Sequence, residues 1–244
     1  MTLRGGGPKE GGKISDMTIR SALDRGRQAA PQLYELLRLK IIDLELAPGV
    51  ALSRSELAAE FRVSQTPVRE ALLRLAEERL VDVFPQSSTR VSLIDIDIAR
   101  ESHFLRRAVE LELVRELALS NEVSVIADLK RLLQRQEALR DANDDTEFSR
   151  VDMEFHRAMY VALGREALWY LVRSRSGHLD RLRRLHLPAQ GKRERIVQDH
   201  QRIVRAIEEA DADAAQQALR DHLSGTLEYV GQIQKDHPDL IAGG

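Results

Sequence analysis

From residue 95 to residue 235 the sequence keeps a single period. Apolar side chains recur at spacings of three and four, which fits amphipathic helices and leaves no room for a sheet. Helical segments are predicted at 95–119, 122–142, 146–163, 166–186, 192–209 and 211–235. Their breaks fall at Ser120-Asn121, Asn143-Asp144, Gly164, Pro188–Gly191 and the Asp211–Asp213 corner. Joins this short predict a bundle of about six helices whose neighbours run antiparallel. Residues 236–244 read as a tail, and no repeat of about 20–50 residues supports a solenoid.

Residues 29–94 follow a different plan. Leu33, Leu37, Ile41 and Leu44 form a helical stripe that Pro48-Gly49 ends, with Pro31 suited to the first turn. A second helix fits Arg54–Phe61, capped by Ser53. A third is predicted to start at Ser64, with Pro67 still in the first turn and Val68, Leu72 and Leu75 buried. Beyond Leu80 the period shortens, and VDVF and RVSL read as two strands around the turn PQSST. Three helices and a two-stranded flap make a small domain with a wing.

Residues 1–28 are rich in glycine and charge and read as a mobile tail. Arg4, Lys9, Lys13, Arg20, Arg25 and Arg27 give that tail a second reading, as a loose contact for a polyanion. It carries no apolar core of the kind a secretory signal needs, and nowhere do about 18 apolar residues run together, so a cytoplasmic protein without a membrane span is expected. Cysteine is absent, which excludes disulfides, thiol nucleophiles and Cys-ligated metal. Any metal must be held by His, Asp or Glu.

Net charge is −2, and residues 1–95 hold 14 Lys and Arg against 13 Asp and Glu. Nucleic-acid binding therefore has to rest on a geometric motif. Aromatic residues at 4% are too few for the stacking platforms of single-strand binders. The segment Ser55–Arg79 supplies such a motif: a short helix, the corner RVSQ, and a second helix that opens with polar residues. That is the outline of a helix-turn-helix, which lays the start of its second helix in the major groove of duplex DNA. Ser64, Gln65 and Thr66 sit where side chains reach phosphates or base edges, and Arg69, one turn on, can fork onto guanine O6 and N7. Arg74 and Arg90 read as phosphate contacts, which set register without reading sequence. The same outline also occurs in domains that bind no DNA.

Here the residues go beyond the outline. Pro48-Gly49, Ser53, Glu56-Leu57-Ala58, Val63 through Leu72, Leu75 and Leu80-Val81 resemble the amino-terminal domain of GntR-family transcription regulators. The resemblance implies that Ser64, Thr66 and Arg69 contact DNA. Gln65 stands where many members carry arginine, Arg54-Ser55 replaces a usual Glu-Arg pair, and Ser88 replaces a wing glycine. Arg54 joins the candidate DNA contacts, and the operator sequence does not carry over.

A second constellation lies in the helical half. Asp152 and His156 are four apart and so share a helix face, flanked by Phe155, Met159 and Leu163. His200 lies among Ile196, Ile203 and Ile207, and His222 shares a side with Ala215, Ala218, Leu219 and Thr226. A carboxylate and three imidazoles turned into a bundle form an N/O donor set suited to a divalent first-row metal. The alternative is a set of core polar residues, each satisfied by its own neighbour. His103, His178, His186 and His237 lack that setting and read as surface or supporting groups.

This half also resembles the FCD effector domain of the FadR-type GntR subfamily, through FLRRAVELELVRELAL, VDMEFHRAMY and DHQRIVRAIEEADADAAQQALRDHL. Together the two resemblances cover about residues 30–230. They imply metal ligation by Asp152, His156, His200 and His222, with zinc first and nickel, manganese or iron as alternatives. They also imply that Arg106 grips the carboxylate of a small organic-acid effector. The competing reading of Arg106 is a surface ion pair with Glu110 at i, i+4. Arg165 replaces a common loop asparagine.

A ligand-responsive regulator that binds a near-palindromic operator as a homodimer is therefore expected, and not an enzyme. One rival is the same regulator with a purely structural metal and no effector. The other is a metal-dependent hydrolase, against which the sequence shows neither HExxH nor paired ExxH motifs.

Overall fold

The structure is a computed structural model that describes residues 23–24, 26–84, 88–142 and 144–243. Most of the tail expected over residues 1–28 lies outside the described residues, as do 85–87 of the wing turn and the expected break at Asn143. The chain divides into two compact units, Met1–Leu93 and Ile94–Gly244.

The first unit runs α1 (Ala29–Ile42), β1 (Ala51–Leu52), α2 (Arg54–Phe61), α3 (Gln65–Glu77), β2 (Val81–Val83) and β3 (Thr89–Val91). Ser53 caps α2 by accepting from the Glu56 amide at 3.3 Å. Arg62 then takes the left-handed conformation (φ 54°) that ends α2 and turns the chain toward α3. Ser64 is the residue before α3, so that helix starts one position later than expected. Leu44 also departs from its predicted place. It lies past the end of α1 with φ 62°, and the Leu46 amide returns to the Lys40 carbonyl at 3.0 Å. That turn swings Leu46, fully buried, into the core position expected of Leu44.

The sheet has three strands in the order β1-β3-β2, both pairs antiparallel, with Ala51 opposite Arg90 and Val81 opposite Val91. The sequence predicts only β2 and the central β3. At two residues, β1 is too short to leave a periodic signal. Leu33, Leu37, Ile41, Leu57, Val68, Leu72, Leu75 and Leu80 form the core of the unit.

The second unit is helical: α4 (Ile96–Ser120), α5 (Val123–Leu139), α6 (Asp145–Ala162), α7 (Glu166–Arg175), α8 (Gly177–His186), α9 (Lys192–Glu208), α10 (Ala212–Ser224) and α11 (Val230–Asp236). Carboxylates hold three of the helix starts: Asp95 accepts from the Asp97 and Ile98 amides, Asp144 from Glu147 and Asp211 from Ala214. Among the described residues no helix is long and apolar enough to cross a membrane.

The sequence reading makes single helices of two segments that the structure divides. Predicted 166–186 breaks at Ser176, whose hydroxyl donates to the Val172 carbonyl at 2.8 Å, while the Ser102 hydroxyl of α4 takes the Arg175 carbonyl. Serine hydroxyls that capture carbonyls in this way bend or interrupt a helix. Predicted 211–235 ends at Ser224 and resumes, after a 3-10 turn at Leu227–Tyr229, as α11.

The predicted tail is also partly ordered. The Ile94 amide donates to the Leu240 carbonyl and the Ala242 amide to the Ile94 carbonyl, each at 2.9 Å. Ile241 joins Ile94, Ile96, Leu179, Leu182 and Ile233 in a separate apolar cluster. Three apolar residues, Leu240-Ile241-Ala242, between Asp239 and Gly243 are too few to give a helical or strand period, so this contact leaves no local sign. Ile241→Ala is expected to lower stability by about 2–3 kcal/mol through lost burial and a residual cavity. Urea denaturation of the full chain measures this, and an unchanged midpoint would make the contact peripheral.

Candidate functional site

Four side chains predicted as metal ligands meet in the helical unit. Asp152 and His156 point from α6, His200 from α9 and His222 from α10, and one donor atom from each falls within 4.8 Å of the others. Relative exposures are 2%, 1%, 0% and 8%, so the group is shut away from water. The helical pitch makes this possible: Phe148, Phe155 and Met159 on α6 and Ile196, Ile203 and Ile207 on α9 bury the same faces that carry the ligands. The His200 ring stacks on Phe155 with centroids 4.0 Å apart.

The outer ring nitrogens fix which way each imidazole faces. His200 Nδ1 lies 2.7 Å from the Gln136 Oε1, and His156 Nδ1 lies 2.9 Å from Glu110 Oε2. An amide oxygen only accepts, so the His200 Nδ1 carries the proton and its Nε2 presents a lone pair inward. His222 Nδ1 faces Asp199 Oδ2 at 3.7 Å. The inward atoms crowd together: His222 Nε2 stands 3.1 Å from His156 Nε2 and 3.3 Å from His200 Nε2.

Electrostatics keep these lone pairs available. Burial, reinforced by the neighbouring His222, holds the His200 imidazole well below its ordinary value. Burial likewise lowers His222 to about 4, against the opposing pull of Asp199. For Asp152 burial alone would raise the pKa, but the Arg183 guanidinium and the histidines hold the carboxyl well below its usual range. An ionised carboxylate and neutral imidazoles are the forms that bind metal. Nitrogens about 2.0–2.1 Å from one ion stand about 2.9–3.4 Å apart at right to tetrahedral angles, so the observed spacing fits a shared first-row cation. Outer partners on each Nδ1 are the supporting shell such ligands use.

The sequence reading missed that outer shell. Gln136 lies on the apolar stripe of α5 with Leu129, Leu132 and Leu133, and its amide also donates to Asp152 Oδ1 at 3.4 Å. Asp199 is next to His200 in sequence, which was a usable signal. Arg183 donates to Asp152 across 31 positions, which no local pattern shows.

Arg106 is buried at 6% exposure and donates through Nε to Glu110 Oε1 at 2.8 Å. The predicted partner is therefore right and the predicted surface setting is not: Glu110 is fully buried and also takes the Tyr160 hydroxyl at 3.3 Å. Burial would raise the Glu110 pKa, yet Arg106 and His156 hold it far below the carboxylate range. A narrow cavity of about 10 Å³ opens beside this pair, lined by Arg106, His156, Trp169, Arg173, Asp180 and Arg183. That is the space of roughly one water. Two of the remaining histidines also depart from the surface reading, since His178 and His186 are 2% and 5% exposed. Arg165 pairs with Glu116 at 2.8 Å.

In the first unit, Arg54, Ser64, Gln65, Thr66, Arg69, Arg74 and Arg90 are all exposed. Ser64 through Arg69 span the first turns of α3, and among the described residues Arg69 has no hydrogen-bond or ion-pair partner. Arg74 is more constrained than a free phosphate contact, because its guanidinium lies over the Tyr34 ring at 3.9 Å. Arg90, on β3, donates to the Gly49 carbonyl at 3.2 Å.

Residues 101–225 match the FCD domain family, and residues 29–91 match the bacterial regulatory proteins of the gntR family. A Streptomyces ambofaciens protein named as an uncharacterized HTH-type transcriptional regulator in an unstable DNA locus is 38% identical over 91% of this chain and 93% of its own length. The HTH-type transcriptional repressor RspR of Escherichia coli K12 is 29% identical over 93% of this chain and 99% of its own. A crystal structure of a GntR regulator from a Rhodococcus species shares the fold at a TM-score of 0.69, with 24% identity over 83% of this chain and 97% of that one. These relatives are regulators and not enzymes, which removes the hydrolase reading. The chain belongs to the GntR family of bacterial transcription regulators, in the FadR-type branch that carries an FCD domain.

Proposed function

We propose that this regulator is a repressor that binds a near-palindromic operator as a homodimer and responds to a small organic acid through a metal held by Asp152, His156, His200 and His222. The observation that carries this reading is the convergence of three Nε2 atoms next to a cavity lined by both His156 and Arg106. A bound divalent cation, zinc first among nickel, manganese and iron, supplies Lewis-acid ligation for an effector oxygen. Arg106 supplies the charge-assisted hydrogen bonds for its carboxylate. The repressor name of the Escherichia coli relative supports the direction of control. Exposed Phe104, Tyr170 and Leu171 supply apolar surface for a second copy.

On the DNA side, Ser64, Gln65, Thr66 and Arg69 read bases and phosphates from the start of α3, with Arg54, Arg74 and Arg90 setting register on the backbone. Arg69→Ala is expected to weaken operator binding by about 1–3 kcal/mol, roughly ten- to hundredfold, without changing metal content. Anisotropy titrations of an operator fragment measure this, and equal affinity would remove Arg69 from the interface.

Helix α8 links the pocket wall to the start of the effector unit. It carries Asp180 and Arg183 into the cavity wall, where Arg183 also bonds Asp152. Near its start, His178 Nδ1 accepts from the Asp95 amide at 2.9 Å and lies 3.2 Å from Arg181 Nη2. Asp95 caps α4 just past the boundary between the units. An effector that draws Arg183 or Asp180 toward itself shifts α8 and hence the amide where the effector unit begins. Such a shift changes operator affinity by differential binding to the two arrangements. His178→Phe is expected to keep acid binding and operator binding while losing the effect of one on the other. Retained coupling in that variant would place the route elsewhere.

The tightness of the cavity favours a second reading, a fixed structural metal with no effector. Small carboxylic acids distinguish the two by thermal shift, because a ligand of the native state must raise apparent stability. A shift that requires metal and Arg106 supports the effector. No shift with any acid, in protein shown to hold metal, supports the structural ion.

A further inference from the structure

The turn from α8 into α9 carries a second cluster of cations. The first turn of α9 begins Lys192, Arg193, Glu194, Arg195, the reverse of the acidic start that a helix amino terminus favours. Arg193 is occupied by Asp145 and the Ala142 carbonyl, and Glu194 pairs with Arg140 and Gln198. Lys192 and Arg195 are left: among the described residues neither side chain has a hydrogen-bond or ion-pair partner. The carboxylates within electrostatic reach of Lys192 are already engaged. Asp199 is taken by Arg202 and His222, and Asp152 by Arg183.

His186 supplies an independent observation. It ends α8, is 5% exposed, and its buried Nδ1 has no partner among the described residues. Buried polar atoms of this kind are ordinarily satisfied, and an orphan needs an occupant. Both side chains come to one turn. The His186 ring packs on Tyr229 with centroids 4.6 Å apart, and Lys192 Nζ lies 3.0 Å from where a Cβ on Gly225 would stand. The absence of a side chain at Gly225 is what leaves room for the ammonium.

We propose that His186, Lys192 and Arg195 form an anion site for a phosphoryl group, free or carried on a small metabolite, separate from the metal and Arg106. A phosphoryl group offers three strong acceptor oxygens and close to two negative charges, which matches three single-point donors arriving from separate positions. A planar carboxylate is better served by the bidentate fork of one arginine. The electrostatics agree. Burial, with Arg183 and Arg195 nearby, pushes the Lys192 ammonium down to about 8, and burial with Lys192 and Arg195 pushes His186 down to about 4. A bound dianion relieves that strain on both.

The test is calorimetric titration of the full-length protein with inorganic phosphate and, separately, with glycerol phosphate, at matched ionic strength in chloride. Wild type is expected to bind one of them per chain, and the tighter of the two identifies whether the group is free or carried. Lys192→Met is expected to weaken binding about tenfold or more. Gly225→Ala, which crowds the ammonium with a methyl group, is expected to weaken it as well. His200→Ala is expected to bind phosphate as wild type does, which separates this site from the metal. Equal binding by Lys192→Met and wild type, loss of binding in His200→Ala alone, or no binding by wild type to either probe would overturn the proposal.

Discussion

Three imidazole nitrogens held 3.1 and 3.3 Å apart in a dry interior are the interaction on which the helical unit turns. Without a cation among them, nitrogens at that spacing must share a proton within each pair. The chain nevertheless spends its own groups to keep them inward. Gln136 takes the outer proton of His200, Glu110 stands beside the outer nitrogen of His156, and Asp199 faces His222. Each of those partners is itself buried, so their placement carries a desolvation cost that ordinary core packing does not require. Burial keeps His200 and His222 neutral, and Arg183 keeps Asp152 ionised. The arrangement makes sense as a preformed N/O site.

The rest of the unit is arranged around those four side chains. Helix α6 supplies two of them one turn apart, and α9 and α10 pack against each other to bring the other two alongside. The break at Ser176 lets α8 leave the line of α7, so that one face of α8 reaches Asp152 through Arg183 while its start reaches Asp95 through His178. The cavity wall and the Asp95 cap of α4 thus share a ten-residue helix.

Much of this was legible in the sequence, for reasons that differ from residue to residue. Arg54–Phe61 and its Ser53 cap were readable because capping and helical period are local. Asp152 and His156 were readable from a four-residue spacing inside an apolar stripe, and His200 and His222 from the isoleucines and alanines around them. What was not legible depends on contacts distant in sequence. The break at Ser176 is made partly by Ser102, which lies 73 positions from the carbonyl it captures. Gln136 shows no partner until α9 is laid against α5. Ile241 reads as part of a tail until Ile94 is placed beside it. Arg106 shows the same limit from the other side: its partner Glu110 is local and readable, whereas the burial of both depends on Tyr160 and His156 from another helix.

The most direct test of the central claim is anomalous diffraction from crystals of the native protein, collected across the absorption edges of zinc, nickel, iron and manganese. The account predicts one peak per chain at about 2.0–2.2 Å from Nε2 of His156, His200 and His222 and from an Asp152 oxygen. A structure with no peak at any edge, in which the three Nε2 atoms remain in hydrogen-bond contact through retained protons or water, would contradict it. The cluster would then be a polar core, and control by an acid would have to be sought without a metal.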